Sequence, residues 1–84
     1  MSKFVNVGTN SYIAINEIES ISPPESAPIK RMVSQAKDEN RCVELTYGKR
    51  VKAVIILKSG KVMLSATLPQ TIVERIAVKN GDKL

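Results

Sequence analysis

From Ala53 to Leu57 the chain runs Ala-Val-Ile-Ile-Leu, apolar at every position and dominated by β-branched side chains. Such a run is a strand, and because successive side chains point to opposite faces, it needs cover on both sides. Val54 and Ile56 point one way, and Ala53, Ile55 and Leu57 the other. The chain has 84 residues, room for one domain, and a domain of this size buries only about two-thirds of the surface that its unfolded form exposes. Covering both faces of one strand is therefore the demand that organises the rest of the chain.

The flanking segments supply the candidates for that cover. Phe4-Val5-Asn6-Val7 and Tyr12-Ile13-Ala14-Ile15 are β-rich and are separated by turn residues at Gly8-Thr9-Asn10, which predicts an N-terminal hairpin. Ile18 to Ile21 reads as a further short strand, ended by Pro23-Pro24. After Ser26 the period changes. Ile29, Met32, Val33 and Ala36 fall at helical spacing, with Ser26 as N-cap and Pro28 in the first turn, where its missing N–H has no intrahelical partner to lose; the helix should end near Asn40. Cys42 to Tyr47 alternates, with Val43, Leu45 and Tyr47 on one side. Gly48, Lys49 and Arg50 then turn the chain into Val51–Leu57, and Lys58-Ser59-Gly60-Lys61 turns it again into Val62-Met63-Leu64, the next strand of an antiparallel meander. Thr67 as N-cap and Pro69 open a second helix, whose Ile72, Val73 and Ile76 share a face.

These elements predict an α+β domain over residues 1–78, a small antiparallel β-sheet of about five strands with two short helices, followed by a polar tail at 79–84. Two short helices cover one face of such a sheet. The N-terminal hairpin could contribute to the other, but a neighbouring subunit is the simpler source, which predicts a homo-oligomer with Val54 and Ile56 at the interface.

Composition narrows the function. There is no histidine and Cys42 is the only cysteine, so an intramolecular disulfide, a thiolate metal cluster and a histidine general base are all excluded. No glycine-rich phosphate loop occurs, and the carboxylates Glu17, Glu19, Asp38 and Glu39 lack the spacing of a catalytic or calcium-binding set. Ser65 and Cys42 read as packed strand residues, not nucleophiles. The reading is a non-enzyme without metal, cofactor or small-molecule substrate. Apolar runs are too short to span a membrane and the first residues do not form a secretory signal, so the expected compartment is the cytoplasm.

Thirteen Lys and Arg stand against eight Asp and Glu, a net charge of +5, which suits a polyanionic partner. The sharpest polar feature is Gly48-Lys49-Arg50-Val51-Lys52. A rigid turn presents charges at low ordering cost; Arg50 can grip a phosphate with two N–H groups, while Lys49 acts as a movable point charge. Lys30 and Arg31, with Lys37, form a second basic surface on the first helix. Tyr47 reads first as a cross-strand packing residue, with a contact to a sugar-phosphate chain as the other reading. With only Phe4, Tyr12 and Tyr47 as aromatics, the chain has no platform for stacking single-stranded bases.

Three stretches together resemble the bacterial extracellular matrix regulatory protein A (RemA) family: Pro24-Glu25-Ser26-Ala27-Pro28-Ile29-Lys30-Arg31, then Thr46-Tyr47-Gly48-Lys49-Arg50 with Ala53-Val54-Ile55-Ile56, then Leu64-Ser65-Ala66 with Pro69 and Thr71-Ile72-Val73. The opening Lys3-Phe4-Val5-Asn6-Val7-Gly8 is similar as well, and the match spans roughly residues 3 to 76. The resemblance implies a non-enzymatic, double-stranded DNA-binding transcriptional regulator of biofilm-matrix genes. It also implies a LytTR-like fold and assembly of dimers into a ring-like oligomer, with DNA running against a basic rim. By position, the family's paired basic residues fall on Lys49 and Arg50, and its helix-start proline, tied to assembly, falls on Pro28. This chain departs from the family in having Thr9-Asn10-Ser11 in place of a glycine-containing turn, and Glu17 where the family has a DNA-binding basic residue.

The leading reading is an oligomeric DNA binder contacting phosphates through Lys49, Arg50, Lys52, Lys30 and Arg31. The alternative is a structural or adaptor oligomer whose basic surface binds RNA or an acidic protein, which the acid at Glu17 favours.

Overall fold

A computed structural model describes residues 3–8 and 10–79. The N-terminal hairpin pairs β1 (Phe4–Gly8) with β2 (Ser11–Ala14), antiparallel, with Val5 opposite Ile13. Asn10 takes a left-handed φ of 56° in the turn, a conformation Asn tolerates better than most residues, and the Asn6 side chain accepts a hydrogen bond from Gly8 N at 2.9 Å. A short 3-10 turn at Ile15–Glu17 leads into β3 (Ile18–Ser22), which Pro23-Pro24 closes as expected.

Helix α1 (Ala27–Asp38) starts where the sequence signals it. Ser26 Oγ accepts from Ile29 N at 3.4 Å, and Pro28 sits in the first turn. It ends in a left-handed Asn40 (φ 58°), with Asn40 N donating to Lys37 O at 3.2 Å and Arg41 N to Ala36 O at 2.7 Å. This pair of bonds satisfies carbonyls that a helix end leaves open.

The main sheet differs from the expected meander. Among the described residues there are six strands, not about five, in a two-stranded and a four-stranded sheet, and the order in the larger is β3-β5-β6-β4. Strand β5 (Ala53–Leu57) lies antiparallel to β3 and to β6 (Val62–Ser65), but β4 (Cys42–Glu44) runs parallel to β6 and does not pair with β5. Helix α1 thus carries the chain from β3 to β4, strands that run in the same direction at opposite edges of the sheet and do not pair with each other. Between β5 and β6 the hairpin is tight: Gly60 N donates to Leu57 O at 3.0 Å and Leu57 N to Lys61 O at 2.9 Å, with Gly60 at φ 96°, a type I turn with a glycine bulge.

Helix α2 (Pro69–Lys79) begins one residue later than a Thr67 cap would place it. Leu68 precedes the helix, its carbonyl accepting from Ile72 N at 3.2 Å. Ile72 is buried and Ile76 packs with it, whereas Val73 is exposed. The helix takes in Lys79, the first residue of the expected polar tail, and the rest of that tail, 80–84, lies outside the described residues.

Both faces of β5 are covered within one chain. Ala53, Ile55 and Leu57 join Val5, Val7, Ile13 and Ile72 in a core under the hairpin and α2. Val54 (0 % exposed) and Ile56 (7 %) join Ala36, Val62 and Leu64 under α1. The placement of Val54 and Ile56 at a subunit interface is therefore corrected: they are core residues, because the two helices take opposite faces of the sheet and the hairpin completes one of them. Met32, expected on the packed stripe of α1, stands 40 % exposed at its margin.

Ser65 ties the layers together. Its buried hydroxyl donates to Val7 O and accepts from Thr67 N at 3.0 Å. With its hydrogen bonds spent on backbone, Ser65 is a structural link, in line with its reading as a packed strand residue.

Candidate nucleic-acid interface

Parallel pairing of β4 with β6 determines where the basic turn goes. Leu45 N donates to Leu64 O (2.8 Å) on one side of β6 and Lys52 N to Ser65 O (2.8 Å) on the other, so residues 46–51 arch over the end of β6. Within the arch, Lys49 N donates to Thr46 O at 3.0 Å, while Tyr47 (φ 51°) and Gly48 (φ 85°) are both left-handed. Two left-handed central residues make a type I′ turn.

The turn reverses the expected facing of its first residues. Alternation carried on from Val43 and Leu45 would pack Tyr47 and expose Thr46. The strand instead stops at Glu44, and Thr46 is buried with its hydroxyl donating to Glu44 Oε2 at 2.7 Å. Tyr47 is swung out, 72 % exposed, so its reading as a cross-strand packing residue is corrected. A left-handed conformation costs a residue with a Cβ about 1–2 kcal/mol, and a ring this exposed gains little packing from the described residues to offset it.

Arg50 and Lys52 then line a groove of about 530 Å³ together with Pro23, Glu25 and the Leu68-Pro69-Gln70 start of α2. The N-terminal end of a helix carries partial positive charge, so the backbone adds to the charge of Arg50 and Lys52, with Glu25 the one carboxylate opposing them. On the other side of Val51 lies a smaller depression of about 210 Å³ lined by Lys30 and Lys37, with Pro24 and Val33. Val51 is the shared wall of the two. Of the five cations singled out in the sequence, the structure gathers Arg50, Lys52 and Lys30 around Val51; Lys49 stands exposed on the turn beside them, and Arg31 lines neither depression. Lys37 joins Lys30 because i and i+7 share a helix face, a signal that was readable in the sequence. Pro28 lies exposed near the N-terminus of α1.

The opposite end of the sheet has a different electrostatic character. Glu17 follows the hairpin, and its carbonyl accepts from Lys58 N at 2.8 Å. It is separated from the Lys49–Arg50 arch by the length of β5, roughly 16 Å at the usual strand rise. Arg41 is fully engaged there. Its guanidinium donates to Gly60 O, and its Nη2 pairs with Glu39 at 2.6 Å. Hydrogen bonds from Arg41 and Gln35, with the nearby positive charge of Arg41, hold the Glu39 carboxyl below its ordinary pKa. Among the described residues no three His, Cys, Asp or Glu form a metal-holding group, and none of their helices is long and apolar enough to cross a membrane.

A second groove, about 440 Å³, separates the hairpin from α2 and is lined by Tyr12, Thr71, Glu74, Arg75 and Val78. Arg75, to which the sequence reading assigned no role, donates from its guanidinium to Asn6 O at 3.1 Å and so braces the hairpin against α2.

Comparison with known proteins gives this arrangement its family. A family-wide sequence model described as "RemA-like: Extracellular matrix regulatory protein A-like" matches residues 4–76. The chain is 43 % identical over 77 residues to the extracellular matrix regulatory protein A of Bacillus subtilis, covering 92 % of this chain and 86 % of that one. A relative in Carboxydothermus hydrogenoformans, whose name proposes a regulatory role, is 44 % identical over 81 residues, 96 % of this chain and 93 % of its own length. One in Brevibacillus brevis, named in the same way, is 45 % identical over 80 residues, 95 % and 93 % of the two chains. The match takes in α1, most of α2, the arch over β6 and its Lys49-Arg50 pair, and this chain belongs to the RemA-like family.

Proposed function

We propose that the protein is a non-enzymatic regulator that binds double-stranded DNA through the arch over β6, and that it does so as an oligomer. The observation that carries the proposal is the grouping of Arg50, Lys52, Lys30 and Lys37 around Val51, with Lys49 on the turn beside them. None of these cations is committed to an ion pair among the described residues. Such side chains are available to displace counterions from a phosphate backbone, which supplies most of the affinity of a weak, sequence-tolerant contact. The two depressions are shallow and open, the shape expected for an extended polyanion and not for an enclosed small molecule.

One chain offers few phosphate contacts, and repetition of a weak site around a ring of dimers would raise affinity without new chemistry. The proposed oligomer no longer leans on Val54 or Ile56. Its support is the family and the number of large apolar side chains left exposed, among them Phe4, Tyr12, Leu68 and Val78. The name of the Bacillus subtilis relative supports matrix genes as the regulated set, and the cytoplasm as the compartment goes with that role.

Electrophoretic mobility shift with duplex DNA, against RNA of equal length and across a salt series, tests the proposal. Duplex binding that weakens steeply with salt, together with a light-scattering mass above that of a monomer, is the expected outcome. Preference for RNA, or for an acidic protein over both, would replace it with the adaptor reading.

A further inference from the structure

We infer that Tyr47 is a phosphate-contacting residue of the DNA interface, its phenolic hydroxyl donating to the backbone beside the phosphates held by Lys49 and Arg50; this rests on the DNA-binding reading above. Tyr47 occupies the first central position of a type I′ turn at φ 51°, a place where Asn, Asp and Gly are the residues that fit. It is also 72 % exposed, the most exposed large apolar-bodied side chain among the described residues. Folding alone would favour neither choice, since a smaller polar residue would relieve the backbone and remove exposed ring surface together.

The arch explains what the residue is suited to do. The turn is closed by the Lys49 N to Thr46 O bond and anchored by the buried Thr46, so the ring projects from a fixed base. Tyrosine has two side-chain torsions and loses little entropy on binding. Its hydroxyl has no hydrogen-bond partner among the described residues, leaving a neutral O–H donor two and three positions before the cations Lys49 and Arg50. Phosphate oxygens take such donors alongside Arg and Lys, and contacts of this kind fix the register of a protein on the duplex.

A neutral donor has a signature that a cation lacks. A hydrogen bond to a charged oxygen is worth at least about a tenfold change in affinity, yet it releases no counterion, so the salt slope is unaffected. Duplex binding is measured across salt for the full chain, Tyr47→Phe, Tyr47→Asn and the Lys49→Ala/Arg50→Ala double variant, each with its melting temperature. Tyr47→Phe is expected to melt with the parent and bind at least about tenfold more weakly at every salt concentration, with the parent's slope. Tyr47→Asn is expected to lose binding at least as much while melting no lower than the parent, because Asn fits the turn. If Tyr47→Phe binds as the parent does while the double variant loses affinity, the inference is overturned and the DNA reading stands. A shallower slope in Tyr47→Phe would also overturn it, by showing that the substitution acts through displaced cations. If the parent does not bind duplex DNA at all, the functional reading fails and takes this contact with it.

Discussion

Two turns at opposite ends of the sheet share a local design and differ in almost everything around it. The turn at 46–49 and the turn at 57–60 are each closed by a backbone bond of 3.0 Å and each hold a glycine in the left-handed region, Gly48 and Gly60. Both carry lysines, Lys49 in one and Lys58 and Lys61 about the other. The second, however, sits among acids and is tied down. Arg41 holds the Gly60 carbonyl and pairs with Glu39, the Glu17 carbonyl holds Lys58 N, and Glu19 shares a cavity of about 200 Å³ with Arg41 and Lys58. Around the first, Arg50, Lys52, Lys30 and Lys37 converge, with Glu25 the lone carboxylate lining either depression. What distinguishes the two turns is thus the set of elements brought beside each, not its own charge.

The contrast is broken most directly by neutralising each end in turn. Lys49→Ala/Arg50→Ala is expected to flatten the dependence of log affinity on log salt by about 1.8 per engaged subunit, from about 0.9 for each phosphate released, with stability changed by no more than about 0.5 kcal/mol per substitution. Lys58→Ala/Lys61→Ala should leave the slope near the parent's; equal losses from both pairs, read by fluorescence anisotropy, would erase the distinction. Next in size, Arg41→Ala should lower stability by about 1 kcal/mol, chiefly through the bond to the Gly60 carbonyl, since the exposed pair with Glu39 contributes little. Denaturant melts check the loss, and duplex affinity is expected to stay unchanged.

At the basic end, Pro28→Ser should reduce stability by about 0.4–1 kcal/mol by freeing the unfolded chain. An unaltered denaturation midpoint with an unaltered oligomer mass would count against any role for this proline. The smallest effect concerns Glu39. A carboxyl whose pKa is lowered on folding stabilises the fold above its ordinary pKa, and that contribution is lost as the pH falls through the lowered value. Titration of Glu39 by NMR should show the depression in the parent and its loss in Arg41→Ala; an unchanged titration would mean that Arg41 is not its cause.

Much of the chain was legible from local chemistry. Ser26 and Pro28 marked the start of α1, Pro23-Pro24 the end of β3, Gly8 to Asn10 the first hairpin, and Gly60 the β5–β6 turn, each through conformations that few residues supply. The partner of β4 was not legible. A Tyr-Gly turn between two β-rich segments reads as a hairpin, and only the insertion of β6 between β5 and β4 decides otherwise, a choice made over some twenty residues of sequence. The same gap produced the misreading of Val54 and Ile56. Helical periodicity located both helices but carried no information on which face of the sheet each would take. For the candidate site, charge alone found Lys49, Arg50, Lys52 and Lys30; the exposure of Tyr47 followed from the strand stopping at Glu44, which alternation could not foresee.

The parallel pairing of β4 also sets a timetable. A growing chain has made the arch and its flanking residues by Lys52 but cannot seat them, because their anchor points, the carbonyls of Leu64 and Ser65, are synthesised later. The strand before the arch gains its ladder only once β6 is in place, a non-local closure that comes after the local hairpins and helices have had time to form. A nascent or truncated chain lacking β6 would therefore hold all the cations of the arch without presenting them as one surface, so that the basic surface itself is complete only when the sheet is.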